Sequence, residues 1–201
     1  MSQNEENLIE INSMPSYNDD EGTVLILFKN DSILDEFKYN EDMHFKLLDG
    51  EGVSLERVNY HKGTQDPSNW HSASELVGFA TPAYKNSQFV EEGDLSNDPV
   101  YIEPYVFSPD NDGYDDYANI HYTFKSTGFV ATVYIFDAKG RIVKELANNL
   151  LLSTEGTLVW DGLYADTRIA PAGTYLVYFK VFQLDGTVKL YKKTVVLAKR
   201  I

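Results

Sequence analysis

Cysteine is absent from the 201-residue chain. That excludes disulfides, zinc–thiolate centres and cysteine nucleophiles, and it leaves the compartment unfixed. Basic charge is scarce: 17 Lys and Arg stand against 31 Asp and Glu, a net charge of −14. A chain this acidic argues against nucleic acid as a partner, since phosphate binding needs a basic surface. Long apolar runs are missing as well. The longest is VLILF, residues 24–28, far short of the roughly 20 residues of a membrane-spanning helix, so no transmembrane segment is expected. The opening MSQNEENLIE lacks the basic and apolar regions of a signal peptide. Two expectations follow, a cytosolic chain or the later part of a longer one.

Catalytic patterns are missing too. His44, His61, His71 and His121 are scattered, with no i, i+4 pair and no HExxH. No serine sits in a GxSxG elbow, and neither phosphate-cradling glycine motif occurs. Asp161, in the phrase WDG, suits a turn carboxylate beside a packed indole better than an acid catalyst. The chain is expected not to be an enzyme.

What the chain has in abundance is tyrosine and phenylalanine, 14 and 11 residues, interleaved with Val, Ile and Thr. Aromatic and β-branched side chains suit a pleated, half-buried surface. Alternation of period two recurs and a sustained helical period does not. Residues 23–28 and 33–39 read as strands around the turn KNDS, and VSLERV, residues 53–58, reads as a third. QDPSNWHSA and GFATPAYKNS read as loops, dense in Pro, Gly, Ser and Asn. In the second half, HYTF, VATVYIFD, RIVKEL, GTLVWDG, GTYLVYFKVF and TVKLYKKTVVLA give strand after strand, punctuated by glycine turns. Leu184-Asp185-Gly186 is a strong hairpin signal. Short strands at this spacing with no helix are the pattern of an immunoglobulin-like sandwich. The expected fold is therefore all-β: two β-sandwich-like, immunoglobulin-like modules in tandem. Residues 1–88 form the first, 89–100 an acidic linker, and 101–201 the second.

Two charged features stand out. FSPDNDGYDDY, residues 107–117, places Asp110, Asp112, Asp115 and Asp116 within seven residues. They are candidate calcium ligands, hard oxygens at close spacing, with Gly113 allowing a sharp turn. The pattern is not an EF-hand, because no twelve-residue loop closes on a glutamate. The same residues also suit an Asx-turn loop whose carboxylates cap backbone N–H groups. The second feature is a polarity of charge. Residues 1–136 carry 7 Lys and Arg against 25 Asp and Glu, whereas residues 137–201 carry 10 against 6. Lys189, Lys192, Lys193, Lys199 and Arg200 crowd the end. They are candidate targeting or partner-binding residues, and a lysine-edged solvated strand gives the same pattern.

From Phe107 onward the phrases match a known family. FSPDNDGYDD, VYIFDAKGRIVKEL, WDG and PAGTYLVYF occur in that order. The segment resembles the immunoglobulin-like domain of flagellar hook-capping proteins and of the C-termini of many Bacteroidetes secreted proteins. That family opens on a phrase like FSPNGDG-x-ND; here Asp110 and Asp115 replace asparagines and Asn111 replaces a glycine. The ending LYKKTVVLAKRI resembles the C-terminal sorting domains recognised by the type IX secretion system. Residues 20–88, with DEFKYNEDMH, GVSLERV, QDPSNWHSA and GFATPAYKNS, resemble the later part of a bacterial lamin-tail domain. The resemblance implies the C-terminal region of a secreted or surface-displayed protein, located outside the cell or on the outer-membrane surface. Its partners would be the secretion machinery or an outer-membrane shuttle protein. The alternative is an accessory binding module of a larger secreted enzyme, with Trp70 and Tyr84 gripping carbohydrate or another surface.

Overall fold

The structure is a computed structural model that describes residues 10–90 and 98–199. It is all-β: twelve strands and three short 3-10 turns, with no α-helix among the described residues. The chain divides into two compact units, Met1–Glu91 and Glu92–Ile201. No helix among the described residues is long and apolar enough to cross a membrane.

The first unit holds two two-stranded sheets. β1 (Glu21–Leu27) and β2 (Ile33–Asn40) form an antiparallel hairpin. Its turn works as the KNDS phrase predicts. Asp31 takes a positive φ of 63°, the Phe28 N–H donates to the Ser32 carbonyl at 2.8 Å, and Asn30 accepts from Ser32. β3 (Leu55–Arg57) pairs with β4 (Trp70–Ser72). β3 lies inside the expected strand, but β4 falls in QDPSNWHSA, expected as a loop. Three residues are too few for alternation to show, and the Pro, Ser and Asn around them mask the strand.

This unit is held by polar groups as much as by apolar ones. Among the described residues its buried apolar side chains are Phe45, Val58 and Ala73, against buried Glu56, Asn59, Asn69, Ser72, Ser74, Ser87 and Gln88. Asn69 is a hub: its Oδ1 accepts from the Asn59 N–H at 2.8 Å, and its Nδ2 donates to the Asn59 carbonyl at 2.9 Å. Buried polar groups satisfied in this way fix one arrangement of the loops. Trp70 ties the hairpin to β4 by stacking on Phe37 at 3.7 Å between ring centroids.

The second unit is a sandwich. One sheet has the order β10-β7-β5 and the other β6-β12-β11-β8-β9. The strands are β5 (Val100–Glu103), β6 (Val106–Phe107), β7 (Ala118–Thr123), β8 (Val130–Phe136), β9 (Ile142–Leu151), β10 (Glu155–Trp160), β11 (Gly173–Phe182) and β12 (Val188–Leu197). Alternation buries Ala118, Ile120 and Tyr122 from one sheet against Val133, Ile135, Val177, Phe179 and Val195 from the other. The hairpin at Asp185-Gly186 forms, with the Gln183 N–H donating to the Thr187 carbonyl at 2.9 Å. β9 runs well past RIVKEL, through Asn148 and Asn149, residues that strands disfavour. The register slips against β8 explain this: the irregular stretch lets Asn149 adopt a φ of 53° inside the strand.

Candidate functional site

Three of the four phrases that carry the family resemblance, FSPDNDGYDD, WDG and PAGTYLVYF, converge at one end of the second unit. Phe107 packs edge-on against Trp160 at 5.3 Å, and Trp160 against Tyr175 at 4.8 Å. The Trp160 Nε1–H donates to the Leu163 carbonyl at 3.0 Å. Asp161 accepts from the Leu163 N–H at 3.0 Å, so it is a turn carboxylate. Gly162 sits at φ 72°, where a Cβ would approach Pro109 Cγ to 2.7 Å and Leu197 Cδ1 to 3.1 Å. Only glycine meets both the backbone and the space requirement there. Tyr175 donates its hydroxyl to the Pro171 carbonyl at 2.5 Å, the bond of a tyrosine corner, and burial holds its pKa above the ordinary value.

The acidic loop lies beside this knot. Asn111, Gly113 and Asp115 all take positive φ, at 59°, 87° and 50°. What holds so contorted a loop is Asp116, 8% exposed. One of its oxygens accepts from the Asn111 N–H at 2.6 Å and the other from the Gly113 N–H at 2.9 Å. Asp112 accepts from the Tyr114 N–H at 2.9 Å, and Asp110 from the Asp112 N–H at 3.3 Å. These are the Asx turns that the sequence allows. The structure also brings Asp110, Asp112 and Asp116 together, with ligand oxygens all within 4.8 Å of one another. Oxygens bound at 2.3–2.6 Å to one Ca²⁺ would fit that span. Asp115 is not in this group; its carbonyl accepts from the Ser108 N–H at 2.9 Å.

The described basic residues, Lys189, Lys192, Lys193 and Lys199, do not form one patch. On β12 the side chains alternate, so Lys189 and Lys193 lean to the core side and Lys192 to the outer face. Lys189 lies 5.4 Å from the Phe129 ring centroid, and Lys193 is bridged to Asp98. Lys192 stands opposite Tyr178, itself opposite Tyr134 on the same outer face. Lys199 is the one that meets the acidic loop. It lines a cleft of about 550 Å³ together with Pro109, Asp110, Ile169, Pro171 and Leu197. An adjoining cleft is lined by Asp112, Tyr114 and Lys199. Arg200 lies outside the described residues. Sequence spacing gave no sign that Lys199 and the acidic loop, more than eighty positions apart, share a cleft; the parallel pairing of β6 with the end of β12 brings them there.

In the first unit, Trp70 is not an open gripping surface. Its ring is stacked on Phe37 and its Nε1–H donates to the Thr64 carbonyl at 2.8 Å. Tyr84 is exposed. His71 donates Nδ1–H to the Ser72 carbonyl at 3.0 Å, and His44 Nδ1 meets Ser72 Oγ at 3.0 Å. Burial lowers the pKa of both. The unfolded chain takes up protons below about pH 6.5, and the folded histidines resist them until a lower pH. The first unit is therefore expected to lose stability as pH falls from about 7 to 5, well above the carboxylate range. Denaturation followed by Trp70 fluorescence in a Trp160→Phe background checks this; a midpoint that stays constant over that range refutes it.

No protein-family model and no curated protein matches the chain. Among solved structures, it is similar to PorZ, a bacterial surface component of the type IX secretion system of Porphyromonas gingivalis. There the identity is 23%, the match covers 50% of this chain and 11% of that one, and the TM-score is 0.33. FlgD from P. aeruginosa is matched at 20% identity over 40% of this chain and 62% of that chain, with a TM-score of 0.34. CopC from Methylosinus trichosporium OB3b is matched at 19% identity over 43% and 78%, with a TM-score of 0.29. At these TM-scores the likenesses assign neither a family nor an activity to this chain.

Proposed function

We propose that the chain is the non-catalytic C-terminal region of a type IX secreted or surface-displayed protein, with its terminal immunoglobulin-like domain acting as the export signal. The observation that carries this is the convergence of three of the four landmark phrases, FSPDNDGYDD, WDG and PAGTYLVYF, on the end of the last strand. Phe107, the Trp160 and Gly162 of WDG, and Tyr175 come from three separate phrases and pack around the point where β12 ends. The edge of β12 supplies a means of recognition. β6 pairs only with Val196 and Leu197, so along the rest of β12 the strand side away from β11 is open among the described residues. The Val196 and Ala198 N–H groups point toward β6. By alternation the backbone of Leu190, Lys192 and Thr194 faces that open side. A receptor can add a strand there, with lysines supplying charge complementarity.

The test fuses the whole chain behind a periplasm-targeted reporter in a bacterium with a type IX system. Export across the outer membrane is expected, and Lys192→Pro should abolish it by removing an edge donor while the unfolding transition is retained. Reporter that stays in the periplasm with the intact chain, or export equal in a strain without the system, sinks the proposal.

Calcium at Asp110, Asp112 and Asp116 belongs to the same reading, as an ion that would brace the entrance of the domain in a calcium-rich exterior. Adding calcium is expected to raise the melting temperature of the second unit, and Asp112→Ala should remove the rise. An unchanged melting temperature would leave the loop as a set of capped turns.

A further inference from the structure

β1 presents an edge of an unusual kind. Between Glu21 and Lys29 it carries no charge, reading GTVLILF. Apolar side chains lie on both of its faces, Leu25 and Leu27 on one, Val24 and Ile26 on the other. Leu25, Ile26, Leu27, Phe28, Ile33 and Leu34 are each about half exposed, at 48–58%. A lone two-stranded hairpin is marginal in water, and an uncharged, apolar edge is one that proteins ordinarily protect.

The other edge of the same hairpin is protected. β2 bears Asp35, Glu36 and Lys38, and the Gln65 Nε2–H donates to the Glu36 carbonyl at 2.6 Å on its outer side. β1 pairs with β2 alone among the described residues. The Glu41 N–H donates to the Asp20 carbonyl, and Phe28 bonds to Ser32, so even-numbered residues of β1 face β2. Thr23 and Leu25 therefore turn their N–H and C=O groups to the open side.

The start of β1 leads into an acidic cleft of about 620 Å³. Asp19 and Asp20 line it with Glu41, Asp42, Asp49 and Glu51, against a single lysine, Lys46. A strand pairing antiparallel with β1 would bring its C-terminal end to Asp19 and Asp20. We propose that the free edge of β1 docks an extended partner segment, apolar along its length and ending in lysine or arginine, which adds as a third strand and seats its basic end in the cleft.

Charge selects this occupant over a second copy of the chain. Residues 1–91 carry 17 Asp and Glu against 6 Lys and Arg, so two such units repel, whereas a basic segment is drawn in. Main-chain bonds to Thr23 and Leu25 give such an interaction its affinity, and the cleft sets direction and register.

The probe is a labelled peptide of alternating valine and threonine ending in a lysine pair, with a glutamate-ended version as control, read by fluorescence anisotropy on the full chain. The lysine peptide is expected to bind at least about tenfold more tightly. Thr23→Pro removes an outward N–H that an edge strand can lose without unfolding, and should abolish binding, while Thr23→Val retains it. Asp42→Asn with Glu51→Gln should bring the two peptides close to equal affinity. Equal binding of both peptides to the unaltered chain, or binding kept in Thr23→Pro, overturns the proposal. So does a concentration-dependent dimer that excludes both peptides, or binding seen only after deletion of residues 1–9.

Discussion

Replacing Trp160 with alanine is expected to destabilise the Glu92–Ile201 unit by about 3–5 kcal/mol. The indole is fully buried, at 0% exposure, and it is the piece that Phe107 and Tyr175 both pack against. Its removal leaves a cavity among side chains drawn from β6, β10 and β11, which cannot all collapse into the space at once. The Leu163 carbonyl also loses the indole N–H, its bond into the turn that Gly162 closes. The loss should be confined to one unit, because the core around Trp160 is built from residues 100–197 alone. The remaining tryptophan, Trp70, then reports the first unit, and far-ultraviolet circular dichroism reports both. The expected result is a dichroism transition that shifts to lower denaturant while the Trp70 transition stays in place. A loss below about 1 kcal/mol would mean that the landmark residues do not hold the end of the domain together.

Much of the second unit was legible in the sequence because its strands are long and buried on one face. Val177, Phe179 and Val181 alternate with outward residues in GTYLVYFKVF, and the structure buries those three. Period two is visible when a strand spans several residues and one side meets a core. Legibility failed where that condition failed. β4 is three residues long, and its last residue Ser72 and its neighbour Asn69 are buried by hydrogen bonds rather than by apolar packing. Polar burial leaves no hydrophobic period to read. At the candidate site, the residue types in the acidic loop were evident, but their division of labour was not. Asp115 and Asp116 are adjacent and alike in sequence; only the backbone turn decides that Asp116 aims both oxygens into the loop while Asp115 does not join the group. The cleft shared with Lys199 depends on a parallel pairing across more than eighty residues, which no local pattern encodes.

Glu56→Gln is expected to cost the first unit about 3 kcal/mol, although the two side chains have nearly the same shape. Glu56 is 4% exposed. It receives the Thr81 hydroxyl on one oxygen, and on the other the Ser87 hydroxyl at 2.6 Å and the Gln88 N–H at 3.1 Å. Every partner donates, so the carboxylate is an acceptor from all sides. An amide puts an NH₂ where one of those oxygens stood, and a donor then faces donors. The amide therefore settles with its oxygen toward the Gln88 N–H, which cannot turn away, and its NH₂ toward the Thr81 hydroxyl, which can; the cost is the loss of charge from the three bonds that the carboxylate accepts. The three donors lie 25 to 32 positions along the chain from Glu56, so this single carboxylate fastens the GFATPAYKNSQ segment to β3. In a unit with few buried apolar side chains, such a fastening carries a larger share of the stability than it would in a sandwich core. Urea denaturation followed by Trp70 in a Trp160→Phe background gives the measurement. Ser87→Ala should cost less alone, and in the double variant the two losses should fall short of additive, because both act on the same bond. If Glu56→Gln stays within about 0.5 kcal/mol of the parent, the buried carboxylate does not fasten the segment, and the unit must draw its stability from the Asn69 hub and the Phe37–Trp70 stack.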